Sequence, residues 1–177
     1  MVRLRAVVVV PVVVATAAAA AFGLYWFEPW RLVTDTEVRE ALPSVAATGS
    51  PGPAATGNHL LATGTFVSHE HGTSGGVRAV RLADGRRQLL LVGLRTSDGP
   101  DLRVWLTDRP VLPGVAGWRV FDDGRRLELG PLKGNRGDQV YPIPESADLG
   151  ALTSVTIWCR RFAVSFGAAA LTPTGVG

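Results

Sequence analysis

A chain of 177 residues has room for one domain plus extensions. With 46% hydrophobic and 19% charged residues it suits a packed globule rather than a disordered segment. Net charge is +3, but Arg3 and Arg5 precede an apolar run, and the remainder carries 16 basic against 15 acidic side chains, interleaved in sign. A nucleic-acid binder would gather its basic residues on one face, so no nucleic-acid partner is expected.

Residues 1–27, MVRLRAVVVVPVVVATAAAAAFGLYWF, read as a signal anchor. Ala6 to Phe27 is uncharged, and as a helix this run reaches about 33 Å, enough for the ~30 Å hydrocarbon core. Arg3 and Arg5 favour a cytoplasmic N-terminus, while Tyr25, Trp26, Phe27 and Trp30 cluster where the helix would leave the bilayer. A cleaved signal peptide is the alternative, with Ala17–Ala21 as the cleavage region. Either way the rest of the chain faces outward from the cell membrane.

Residues 28–58 read as a juxtamembrane collar and a tether. Thr34 and Glu37 form a capping box with Val33 and Val38 at the staple positions, which predicts a short helix over Asp35–Leu42 ending before Pro43. Pro43 to Asn58, small, uncharged and rich in Pro and Gly, predicts a flexible linker.

From His59 to the end the pattern is of period two with turn punctuation. VRAVRLADGRRQLLLVGL predicts a hairpin around Asp84-Gly85, and VFDDGRRLEL repeats the signal around Asp123-Gly124. DLRVWLT alternates Leu102, Val104 and Leu106 against Arg103, Trp105 and Thr107, as a half-buried strand should. The prolines of QVYPIP predict an edge or a strand end. No helical period follows the linker, and many short strands predict an all-β antiparallel sandwich or partly open barrel. The last long run, SVTIWCRRFAVSF, changes phase between Cys159 and Phe162, which predicts a bulge or bend at Arg160-Arg161.

Cys159 is the sole cysteine, so it is core filler, a reactive thiol, or half of a bond to another chain, which would make a disulfide homodimer. Arg160 or Arg161, brought round by a bulge, would favour its thiolate. Trp158, on the opposite face, reads as a packing or exposed aromatic. His69-Glu70-His71 offers alternate histidines, but a zinc site needs three or four ligands and only Cys159 or His59 could add one, so no metal is assigned. The alternative is a histidine hydrogen-bonded to hold the turn. KGNRGDQ lacks the end of a phosphate loop and reads as a tight turn, with Arg136-Gly137-Asp138 a chance tripeptide. No serine, histidine and aspartate arrangement supports hydrolysis.

Four stretches in this order, GTFVSHEHGTSG, LRTSDGPDLRVWLT, LGPLKGNRGDQVYPIP and SVTIWCRRFAVSFGAAAL, resemble the electron-transfer DM-thirteen family, over about Gly64 to Leu171. Leu94 departs from it, standing where an aromatic is expected. The resemblance implies an extracytoplasmic all-β module whose hallmark cysteine, here Cys159, serves redox chemistry, and it aligns His71 with the family's loop histidine. It names no cofactor, donor or acceptor. The resulting expectation is a module anchored through residues 6–27 that exchanges electrons or thiol equivalents with an unidentified redox or envelope protein. Cys159 would be the redox group, with Arg160, Arg161 and His71 in support. The alternative is a non-catalytic envelope binding or scaffold module with Cys159 structural.

Overall fold

A computed structural model describes residues 2–45 and 57–174. The first element is an apolar helix, α1 (Val2–Phe27), with Pro11 inside it. At 1.5 Å per residue its 26 residues reach about 39 Å, long and apolar enough to span a membrane. From Val8 onward its large apolar side chains are exposed among the described residues. One turn of 3-10 helix follows at Pro29–Val33.

The expected helix over Asp35–Leu42 does not form. Glu37–Arg39 is instead a strand, β1, paired in parallel with Arg136–Ile143 (β8). Two helical turns are marginal in isolation, whereas the extended form finds partners for its backbone. Thr36 N donates to Asn135 Oδ1 at 2.7 Å, and Val140 N donates to Glu40 Oε2 at 2.6 Å. Gly137 makes the pairing possible: its φ is +95°, and a Cβ there would stand 2.0 Å from the Val38 carbonyl oxygen. The Arg136-Gly137-Asp138 tripeptide thus lies within β8, flanked by β1 and by Arg87–Arg95 (β5).

Of the expected linker, residues 46–56 lie outside the described residues. Its ends meet: Asn58 Nδ2 donates to the Ser44 carbonyl at 2.9 Å. Because β1 precedes this excursion and already belongs to the sheet, only about residues 28–36 separate α1 from the β domain.

The remaining strands are β2 (His59–Thr65), β3 (Val67–Ser68), β4 (Ser74–Arg81), β6 (Leu102–Thr107), β7 (Arg126–Pro131), β9 (Ser154–Cys159), β10 (Val164–Ala170) and β11 (Thr172–Pro173). They form two open sheets, β1-β8-β5-β4-β2-β11 and β3-β10-β9-β6-β7, antiparallel except for β1, and the architecture is sandwich-like with no closed barrel. The core lies between the sheets: Val77, Leu89, Leu91 and Tyr141 from one meet Val104, Leu106, Ile157 and Phe166 from the other.

The hairpin at Asp84-Gly85 joins β4 to β5, with Gly85 at φ +87°. The second expected hairpin differs. Residues 108–125 form a long crossing from β6 to β7, and only the part after Gly124 is strand. That crossing covers the outer face of the second sheet, where Trp105, Phe121, Trp158 and Ala168 make a smaller cluster. The face of β6 expected to meet solvent is therefore largely buried, and Trp158 stacks on Trp105 at 5.0 Å. Pro142 is the next-to-last residue of β8 and Pro144 lies just past it, the strand end the sequence allowed, although β8 is second in its sheet and not an edge strand. Val140 N points to the flank that β1 leaves open beyond Asp138, and Pro142, two residues on, faces the same way, where no donor is needed.

Candidate functional site

The phase change in SVTIWCRRFAVSF marks neither a bulge nor a bend within one strand. It is a tight turn, residues 160–163, joining antiparallel β9 and β10, with Ala163 at φ +50°. A bulge does occur, but between Ser165 and Gly167. Cys159 ends β9 opposite Val164, points into the core and is 0% exposed. Backbone N–H groups of Phe162, Arg161 and Asp101 lie against its sulfur, yet burial outweighs them and pushes the thiol's pKa up. Burial thus favours the neutral thiol at Cys159 over the thiolate.

The two arginines have other partners. Arg160 reaches the Asp101 carboxylate at 3.7 Å and Glu128 at 3.9 Å, in a surface cluster with Arg103. Arg161 turns toward the end of α1. Its Nη1 donates to the Trp26 carbonyl at 2.8 Å and pairs with Glu28 at 3.2 Å, and its guanidinium lies over the Trp26 ring. A cation on the last carbonyls of a helix meets both its orphan acceptors and its dipole. Phe162, the next residue, stacks on Phe27 at 5.9 Å. The 160–163 turn is thus a clamp on the helix exit, reinforced by Arg31, which pairs with Glu28 and reaches Asp98 at 3.3 Å.

The two histidines of His69-Glu70-His71 diverge. His69 is buried: Nε2 lies 2.9 Å from the Leu112 carbonyl and Nδ1 2.7 Å from Ser165 Oγ. A carbonyl can only accept, so Nε2 carries the proton and Nδ1 accepts from the serine. Ser165 Oγ in turn lies 2.8 Å from Thr156 Oγ1. Burial holds the His69 pKa below its ordinary value. This histidine pins the 108–121 crossing to β10, the hydrogen-bonded alternative in the sequence reading. His71 is partly exposed, 3.9 Å from the Phe166 ring centre to centre, with Nε2 2.5 Å from Glu70 Oε2.

His71 opens onto a cleft of about 410 Å³ between the helix exit and the sandwich. One side is Phe27, Glu28, Pro29 and Arg31. The other is built from the turn Asp98-Gly99-Pro100, from Trp118 on the crossing, and from Phe162, Val164 and Phe166. Cys159 is not on its surface but stands one layer behind, paired with the wall residue Val164. Of the residues singled out in sequence, the structure places His71 in this cleft, Arg161 on the helix clamp beside it, Cys159 behind its wall, and Arg160 on the outer surface. Among the described residues no group of three or more His, Cys, Asp or Glu is arranged to hold a metal.

Sequence reasoning missed the cleft because it divides between segments 27–31, 70–71, 98–100, 118–119 and 162–166. The one available signal was TSDGP, whose Asp98 and Gly99 stood in a recognisable block without a role. Gly99 lets the turn pack closely on Phe166, since a Cβ would come 2.9 Å from that ring.

Among curated proteins and among solved structures none matches the chain. A protein-family match does exist, over residues 65–171, and it spans β3 to β10 together with all the cleft except the helix exit. The chain belongs to the family described as Electron transfer DM13, with a role related to electron transfer.

Proposed function

We propose that this protein is a membrane-anchored, outward-facing electron-transfer module that meets its redox partner in the cleft at the base of the sandwich. The observation that carries the reading is the construction of that cleft. Wall segments inside the family match are closed by residues 27–31, so the site sits where α1 ends. The aromatic residues at the helix exit favour a bilayer surface for that end, and Arg3 and Arg5 at the other end support an extracytoplasmic domain. His71 and Glu70 set a paired imidazole and carboxylate on the cleft.

Cys159 takes part differently from an exchange thiol. Exchange needs an accessible thiolate, whereas this sulfur is sealed and burial disfavours its thiolate. Redox exchange at Cys159, and likewise a disulfide homodimer, requires the 160–163 turn to open. A structural cysteine, as in the scaffold alternative, is favoured by the same burial, and here it shapes the cleft's inner wall.

The test uses membranes of cells carrying or lacking the full chain, fed a respiratory donor, with impermeant ferricyanide as the outer acceptor. The full chain raises ferricyanide reduction, Cys159→Ala retains most of the increase, and Val164→Phe, which fills the cleft, loses it. An equal rate with and without the chain removes the electron-transfer reading. Loss in Cys159→Ala with retention in Val164→Phe would put the thiol in the cleft's place.

A further inference from the structure

The position and chemistry of the cleft narrow its occupant. Phe27 is the last residue of α1 and also part of the cleft wall, so with α1 as the membrane anchor the cavity adjoins the end of the span. Only about residues 28–36 connect the helix to β1, and the clamps of Arg161 and Arg31 hold the domain there. A ligand can therefore enter from the bilayer without crossing open water.

The walls are aromatic: Phe27, Trp118, Phe162 and Phe166 surround a space within the ~300–1,000 Å³ typical of small-molecule sites. The cleft's three carboxylates already have partners, Glu28 with Arg31 and Arg161, Asp98 with Arg31, and Glu70 with His71. Counting Arg119, which also lines the cleft, the three carboxylates stand against Arg31, Arg119 and the neighbouring Arg161, so the lining is balanced in charge and favours a neutral ligand. The indole N–H of Trp118 is buried away from the cleft surface, whereas the exposed guanidinium of Arg119, on the cleft lining, carries donors that a ligand's acceptor oxygens can meet.

We infer that the cleft binds the head group of an isoprenoid quinone drawn from the adjoining leaflet. Such a head group is neutral, planar and apolar, stacks between aromatic rings, and carries carbonyl oxygens that accept hydrogen bonds. The isoprenoid tail stays in the bilayer beside α1. The inference rests on the reading of this cleft as the electron-transfer site and gives that site a substrate class.

The experiment places the full chain in lipid nanodiscs with an azido-quinone, irradiates, digests with trypsin and maps the label. The peptide following Arg161 carries the cleft wall from Phe162 to Phe166, whereas residues 6–31 carry the bilayer-facing helix. Saturable labelling of the peptide after Arg161, reduced at least tenfold by excess unlabelled quinone and equally by Val164→Phe at an unchanged thermal midpoint, is the expected result. If Val164→Phe does not fold, Phe162→Ala serves as the second wall variant. Labelling confined to residues 6–26, as fragment-ion sequencing of the helix peptide locates it, or labelling unaffected by competitor, overturns the inference, as does displacement by phospholipid alone. The ferricyanide assay separates the two claims. Competed labelling without any effect of the chain on ferricyanide reduction leaves a quinone site and removes the electron-transfer role. Electron transfer without competed labelling does the reverse.

Discussion

Alkylation of Cys159 in the native state measures directly how far the thiol is withdrawn from exchange. To expose the sulfur, the 160–163 turn must lift, which strips Phe162 from Phe27 and Val164 from the cleft wall and breaks the Arg160 N–H to Asp101 carbonyl bond at 3.0 Å. Two apolar side chains at ~1.5–3 kcal/mol each set an opening cost of about 3–6 kcal/mol. At ~1.4 kcal/mol per factor of ten, native labelling should run about 10²–10⁴-fold slower than labelling of the denatured chain at the same pH. The assay follows maleimide incorporation by mass spectrometry for the full chain in nanodiscs, with and without denaturant. Arg161→Met removes the bonds to the Trp26 carbonyl and Glu28, so it should speed native labelling while leaving the denatured rate alone. A native rate within tenfold of the denatured rate would refute the reasoning and return Cys159 to the position of an accessible redox thiol.

Asn135→Ala removes acceptance from Thr36 N at 2.7 Å and donation to the buried Thr96 carbonyl at 3.0 Å. With each orphaned group costing ~1–3 kcal/mol, a loss of about 2–6 kcal/mol is expected in denaturant unfolding, with new proteolysis between residues 28 and 45 as β1 detaches. His69 has a lowered pKa in the fold, so the unfolded chain binds its proton first. Stability should be intact above ~6.5 and fall as pH drops below it, by at most ~1.4 kcal/mol per pH unit, and His69→Gln should flatten that slope in thermal unfolding between pH 7 and 5. Tyr141 moves the other way: burial raises its pKa to about 12, against ~10 when unfolded. Its contribution should hold below pH 10 and vanish as pH rises through 12, about 3 kcal/mol in all, and Tyr141→Phe should lose that alkaline dependence in chemical denaturation.

Much of the architecture was legible because it is written in local patterns. An uncharged run of membrane length, alternating apolar positions and an Asp-Gly turn each act within a few residues, and they returned α1, the strands and the β4–β5 hairpin. The family blocks likewise survive as linear text. Where the reading differed, a distant partner had decided the outcome. Residues 35–42 carry helix-capping signals, but Asn135 and Gly137, about a hundred residues on, offer their backbone a sheet edge. The outer face of β6 alternates as if for solvent, yet the 108–121 crossing lies over it.

The sequence alone determined the membrane-length helix, the all-β domain, its family and the single thiol, since each depends on composition or short-range order. Only the tertiary structure decided that Cys159 is sealed, that Arg161 caps the helix exit instead of facing the sulfur, and that His71 opens onto a cleft shared with residues 27–31. Burial, charge pairing and cavity shape are sums over neighbours from remote parts of the chain, and no local pattern contains them.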